Sequence, residues 1–111
     1  MIMQTIGSLN LANNGGFVCA GKVSFIDPNG GTGTSDRWDM IALGQNETMK
    51  PGDRGVASGS LVQMYIDIVA GNDRTGGTYF LYDPASPRCA NYSITGTTLN
   101  STVHFGGITP V

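Results

Sequence analysis

The chain has 111 residues, a formal net charge of −2, and only 13% charged residues against 40% hydrophobic ones. That length builds one hydrophobic core rather than two, so residues 1–111 are expected to form a single domain. The six basic residues are scattered and make no stripe for phosphates, which argues against nucleic acid and against a polybasic grip on anionic lipid.

In chain order, short alternating runs are separated by turn residues, and no stretch holds a helical period. In GSLNL, Leu9 and Leu11 point one way, with Ser8 and Asn10 the other. Asn13-Asn14-Gly15-Gly16 reads as a turn. In FVCAGKVSFI, Phe17, Cys19, Val23 and Phe25 then share one face across Gly21, with Lys22 and Ser24 on the other. DPNGGTGTSD reads as a loop, RWDMIAL (Arg37 to Leu43) as renewed β structure, and KPGD (Lys50 to Asp53) as a proline turn. SLVQMYIDIVAG is the clearest strand, with Val62, Met64, Ile66 and Ile68 toward the core. After a loop at Gly71 to Gly77 come TYFLYD, a loop at Pro84 to Arg88, ANYSIT, and a final strand from Thr102 to Phe105 that closes near Gly106-Gly107.

The pattern predicts an all-β domain: a two-layer antiparallel β-sandwich of about seven to eight strands, with a closed barrel as the alternative. Low charge leaves a surface of Thr, Ser, Asn and Gly, which suits a recognition module better than an enzyme. His104 lies between Val103 and Phe105 in a strand and should face opposite to them, toward solvent, with no nucleophile assigned to it. Asp36 and Asp39 flank Trp38 and read as turn and edge residues rather than a paired acid and base. Asp27, Asn29 and Asp36 share an oxygen-rich loop, yet Gly31 stands where a third calcium ligand belongs, so Asx turns are expected there. No catalytic residue, metal or cofactor is predicted. Cys19 and Cys89 either close one disulfide or stay as two buried thiols, and Cys19 lies in an apolar run that suits a small hydrophobe.

No run approaches the roughly 20 apolar residues of a membrane-spanning helix. The opening MIMQTIGSLN shows neither a basic n-region nor an apolar h-region, so no signal peptide is visible, and the compartment, secreted or otherwise, stays open.

In SITGTTLN, residues 93 to 100, Gly96 breaks a strand and Leu99 falls at a turn, where it either folds back over the open end of the sandwich or is held out for a ligand. GSLNLANNGGFV, the KPGD turn followed by VQMYIDIVAG, and above all SITGTTLN together resemble, in order, the C-terminal β-sandwich of the cholesterol-dependent (thiol-activated) cytolysins. The resemblance implies a sandwich whose loops at one tip touch membranes. It also implies a Thr-Leu pair that recognises cholesterol, carried here by Thr98 and Leu99. Two departures stand out. Where the family has a Trp-rich loop after the clearest strand, this chain has NDRTGG, and the family's pore-forming domains have no counterpart in these residues. The expectation is a non-enzymatic module that binds a membrane sterol or a cell-surface receptor or glycan, without forming pores. A lectin-like protein and a self-assembling homo-oligomer that uses its strand edges are the alternatives.

Overall fold

The structure is a computed structural model and describes residues 3–111; Met1 and Ile2, at the start of the stretch read for a leader, lie outside it. Among the described residues nine strands form two packed sheets: β1 (Thr5–Ile6), β2 (Ser8–Gly15), β3 (Cys19–Ile26), β4 (Thr32–Thr34), β5 (Asn46–Met49), β6 (Leu61–Ile68), β7 (Arg74–Tyr82), β8 (Arg88–Gly96) and β9 (Ser101–Pro110). One sheet has the order β1-β7-β6-β3-β4 and the other β5-β2-β8-β9. The only helical element among the described residues is a 3₁₀ turn at Pro51–Arg54, where the KPGD turn was expected. The all-β sandwich is as the alternation predicts.

The sheets are mixed, however, rather than purely antiparallel. β1 runs parallel to β7, and β2 runs parallel to β8. Both parallel pairs have one origin: the chain steps from the first sheet to the second at Gly7 and so accompanies β7 and β8 through both layers. Gly7 donates its N–H to Arg88 O at 2.9 Å, and a Cβ there would overlap Ser86 O. Strand alternation reports which face is buried but not which way the neighbour runs, so the sequence held no sign of this.

The core fills the space between the layers. Leu9, Leu11, Cys19, Val23, Val62, Met64, Ile66 and Ile68 are all buried on the faces their alternation assigns. Gly21 lets β3 approach Met49, whose sulfur would overlap any Cβ at that position. Phe25 only packs against the edge of this cluster.

Several boundaries differ from the sequence reading. The expected strand at Arg37 to Leu43 is irregular, holding one isolated bridge between Ile41 and Cys19. It still follows the edge of β3: Ser35 N bonds Val23 O, Trp38 N bonds Gly21 O, and Ile41 N bonds Cys19 O, at 2.8, 2.9 and 2.8 Å. The segment therefore advances three residues for every two of β3. That spacing buries Trp38 and Ile41 and leaves Met40 and Leu43 exposed, which a two-residue alternation cannot do. Trp38 is packed, though not in a strand, with the Arg54 guanidinium 4.8 Å over its ring. The loop read at Asp27 to Asp36 contains β4, β7 begins at Arg74 rather than Thr78, and β9 runs on past its two glycines to Pro110. β9 continues because an extra residue at Gly106-Gly107 is absorbed as a bulge, with Gly107 at φ 94°. The Asn13-Gly16 turn is also shorter than read, since β2 continues through Gly15.

Candidate functional site

Three turns meet at one end of the sandwich. They join β2 to β3 (Gly16 to Val18), β6 to β7 (Val69 to Asp73) and β8 to β9 (Thr97 to Asn100). The last is a tight hairpin in which Thr97 and Asn100 exchange backbone hydrogen bonds, each at 3.2 Å, so Thr98 and Leu99 are its two central residues. Gly96 enters it at φ 104°, a conformation that L-residues rarely adopt.

Backbone contacts lock the turns together. Gly16 N donates to Gly96 O at 3.0 Å, Val69 N to Val18 O at 3.0 Å, and Asn72 N to Thr98 O at 3.2 Å. Gly71 makes the last contact possible, because a Cβ there would overlap Thr98 O. Asn13, fully buried, holds the end from inside. Its Nδ2 donates to Phe17 O at 2.7 Å and Ile41 O at 3.0 Å, and its Oδ1 accepts from Gly15 N at 2.9 Å. By sequence Asn13 reads as a turn residue; only the arrival of the Ile41 segment shows it to be an internal clamp.

Asp73 pins the β6–β7 turn, taking the Tyr65 hydroxyl on Oδ2 at 2.6 Å and Ile68 N on Oδ1 at 3.1 Å. The hydrogen bond from Tyr65 holds the Asp73 carboxyl below its usual range, and the same bond raises the Tyr65 phenol. Just beneath the tip, Arg74 Nε donates to Ser101 Oγ at 2.9 Å and ties β7 to β9.

Leu99 is held out, with 60% of its surface exposed. It is not alone. Val18 and Val69 are exposed in the neighbouring turns, and Leu43 beside them, where Gly44 N bonds Asn13 O at 2.7 Å. The sequence singled out Leu99 only. The other three are separated in the chain, and their common end is visible only once the strands are paired. Thr98 is half-buried beside Leu99. Within the hairpin the Thr97 hydroxyl is the one used, accepting from Asn100 N at 3.3 Å. The β6–β7 turn that stands where the family's Trp-rich loop was expected is short and carries no aromatic residue.

The other candidates lie elsewhere. His104 is exposed, as expected, and its Nε2 lies 2.9 Å from Thr95 Oγ1. Asp36 and Asp39 are exposed on either side of buried Trp38. Asp27 makes the expected Asx turn, accepting from Asn29 N and Gly31 N at 2.9 and 2.8 Å. Among the described residues no three His, Cys, Asp or Glu side chains group as a metal site, and no helix is long and apolar enough to cross a membrane. Cys19 and Cys89 are both buried free thiols. Burial, with the charge of Asp67 adding to it, pushes the Cys19 thiol up to about 11.

No family model and no curated protein matches the chain. Solved structures do. Wild-type pneumolysin is 18% identical with a TM-score of 0.52, over 95% of this chain and 23% of that one. A non-hemolytic pneumolysin from Streptococcus pneumoniae is also 18% identical with a TM-score of 0.51, over 95% of this chain and 24% of the other. A Gram-negative toxin is 19% identical with a TM-score of 0.50, over 90% of this chain and 22% of the other. The chain thus spans less than a quarter of the length of these solved structures and shares the fold of one part of them. This bears out, at the level of fold, the resemblance carried by SITGTTLN and its companion segments.

Proposed function

We propose that this domain is a non-enzymatic recognition module that docks on a membrane through the end carrying the β8–β9 hairpin, with a sterol as the component recognised. The observation that carries the reading is the exposure of Leu99 at the centre of a two-residue hairpin tip, with Val18, Leu43 and Val69 exposed at the same end. Thr98 and Leu99 divide the work. The threonine hydroxyl hydrogen-bonds a sterol 3-hydroxyl at headgroup level, while leucine packs on the ring system.

Magnitudes decide how far one residue goes. Full burial of a leucine contributes about 1.5–3 kcal/mol, below the roughly 4 kcal/mol of a millimolar complex. The exposed fractions of Val18, Leu43, Val69 and Leu99 together amount to about two full side chains, on the order of 3–6 kcal/mol. Shallow insertion of the whole rim therefore reaches millimolar affinity where the leucine alone does not. With no aromatic wedge in the β6–β7 turn, binding by one copy stays weak, and a receptor or several copies add the rest.

Co-sedimentation with phosphatidylcholine vesicles of rising cholesterol content tests this. The wild type is expected to pellet increasingly with sterol, and a Thr98→Gly, Leu99→Gly variant to remain in the supernatant. Equal pelleting of both proteins, or no dependence on sterol, refutes the sterol assignment. Binding on a glycan array without vesicle binding would move the reading to the lectin alternative.

A further inference from the structure

Among the described residues the sandwich has four edge strands, and three of them are short: β1, β4 and β5 span two, three and four residues, and the part of β7 that β1 leaves uncovered carries Arg74 and is irregular opposite Gln63 and Tyr65. The fourth, β9, has ten residues, pairs with β8 on one side and carries no charged side chain. Long, uncharged edges are what folded proteins ordinarily avoid, because their open backbone groups accept another strand. The phase of the β8–β9 hairpin shows which groups are open. Thr97 and Asn100 form a hydrogen-bonded pair, so in the alternation of an antiparallel ladder Thr102 and His104 turn their N–H and C=O toward β8. The backbone groups of Ser101, Val103 and Phe105 therefore point outward. After Phe105 the Gly106-Gly107 bulge interrupts the edge, so the open segment is Ser101 to Phe105, roughly 17 Å long.

We infer that Ser101 to Phe105 is a self-pairing edge: two copies join antiparallel about a two-fold axis through Val103, making one continuous eight-stranded sheet from two four-stranded ones. The register is self-consistent. Val103 faces its own counterpart and Ser101 faces the second copy's Phe105, so the outward N–H and C=O groups all meet as hydrogen-bonded pairs. On the outer face, exposed Thr102 comes opposite the second copy's His104, both of them polar and neither repelling the other. On the inner face each Phe105, 54% exposed and leaning on Tyr92 at a centroid distance of 5.2 Å, gains cover. A second copy fits better than an unrelated strand because this one segment supplies both halves of every pair and carries no charge of its own, the neighbouring Arg74 being engaged by Ser101 at one end. A strand contact of this length buries less than the roughly 1,200 Å² of a standard interface, so the association is weak and concentration-dependent. The same two-fold axis sends the two hairpin tips in opposite directions, and a dimer would bridge two membranes rather than grip one.

Sedimentation equilibrium without lipid tests the pairing separately from the membrane reading. Between roughly 10 µM and 1 mM, a range suited to a weak complex, the weight-average mass of the wild type should climb from the monomer toward twice that value. A Thr102→Lys, His104→Lys variant places like charges opposite each other and should stay monomeric, as should Thr102→Glu, His104→Glu. An equimolar mixture of the two should regain the mass of a dimer. Hydrogen exchange of the wild type checks the same register without any variant. The amides of Ser101, Val103 and Phe105 should slow as concentration rises, while those of Thr102 and His104 are protected throughout. A wild type that stays monomeric across the range, a lysine variant that associates as strongly as the wild type, or exchange at Val103 that ignores concentration overturns the proposal.

Discussion

Replacing Leu99 by alanine separates a residue held out for a ligand from one that supports its own fold. Leu99 is 60% exposed in the free domain, so most of its side chain touches nothing that unfolding would release. Burying the exposed part in a lipid phase contributes about 1–2 kcal/mol, scaled from the transfer value of a whole leucine. Vesicle partitioning should therefore fall roughly 5- to 30-fold in Leu99→Ala, since each 1.4 kcal/mol is a factor of ten. Stability should move by less than about 0.5 kcal/mol, as for other surface sites. The control is Ile94→Ala five residues earlier in the same hairpin, fully buried, which should cost about 2–5 kcal/mol of stability. The assays are vesicle co-sedimentation and urea denaturation of both variants. Unchanged partitioning in Leu99→Ala would sink the membrane role of the hairpin. A loss of stability comparable to that of Ile94→Ala would show that Leu99 supports the fold instead.

Other outcomes follow from the same geometry. Asn13→Ala strands Phe17 O and Gly15 N in a buried site, leaves Ile41 O with Cys19 N as its donor, and should cost about 2–4 kcal/mol in urea denaturation, whereas a cost under 0.5 kcal/mol would mean that water replaces the clamp. Gly71→Ala should push the β8–β9 hairpin away from the β6–β7 turn, costing about 1–3 kcal/mol and shifting the amide resonances of Thr97 to Asn100; unshifted resonances there would refute the contact. The Cys19 thiol is raised by burial from 9.0 to about 11, and the Tyr92 phenol by burial from 10.0 to about 12. Both groups ionise more readily in the unfolded chain, so their contribution is intact below about pH 9 and is lost as pH rises toward 12. Thermal melts should show a flat Tm up to pH 8 and a decline above 9, and Cys19→Ala should flatten the part between 9 and 11. Unaltered alkaline behaviour in that variant would count against the thiol as its source.

What the sequence determined by itself was the burial pattern. Alternation in SLVQMYIDIVAG and in GSLNL named the core faces of β6 and β2 correctly, because a strand's side chains alternate whatever lies beside it. Gly96 and the residues after it likewise announced a turn with a leucine in it, since only a break in the chain's direction suits a glycine followed by Thr-Thr-Leu-Asn. The tertiary structure alone decided direction, neighbourhood and exposure. Whether β2 runs with or against β8 depends on a strand about eighty residues away, and local alternation is the same in either case. The irregular path of Arg37 to Leu43 follows from the edge of β3, not from its own pattern, which looked like a strand. Most of all, Val18, Leu43, Val69 and Leu99 become one apolar end, and Asn13 its clamp, only because pairing brings distant turns side by side. A residue's exposure depends on everything packed around it, and no short window of sequence contains that.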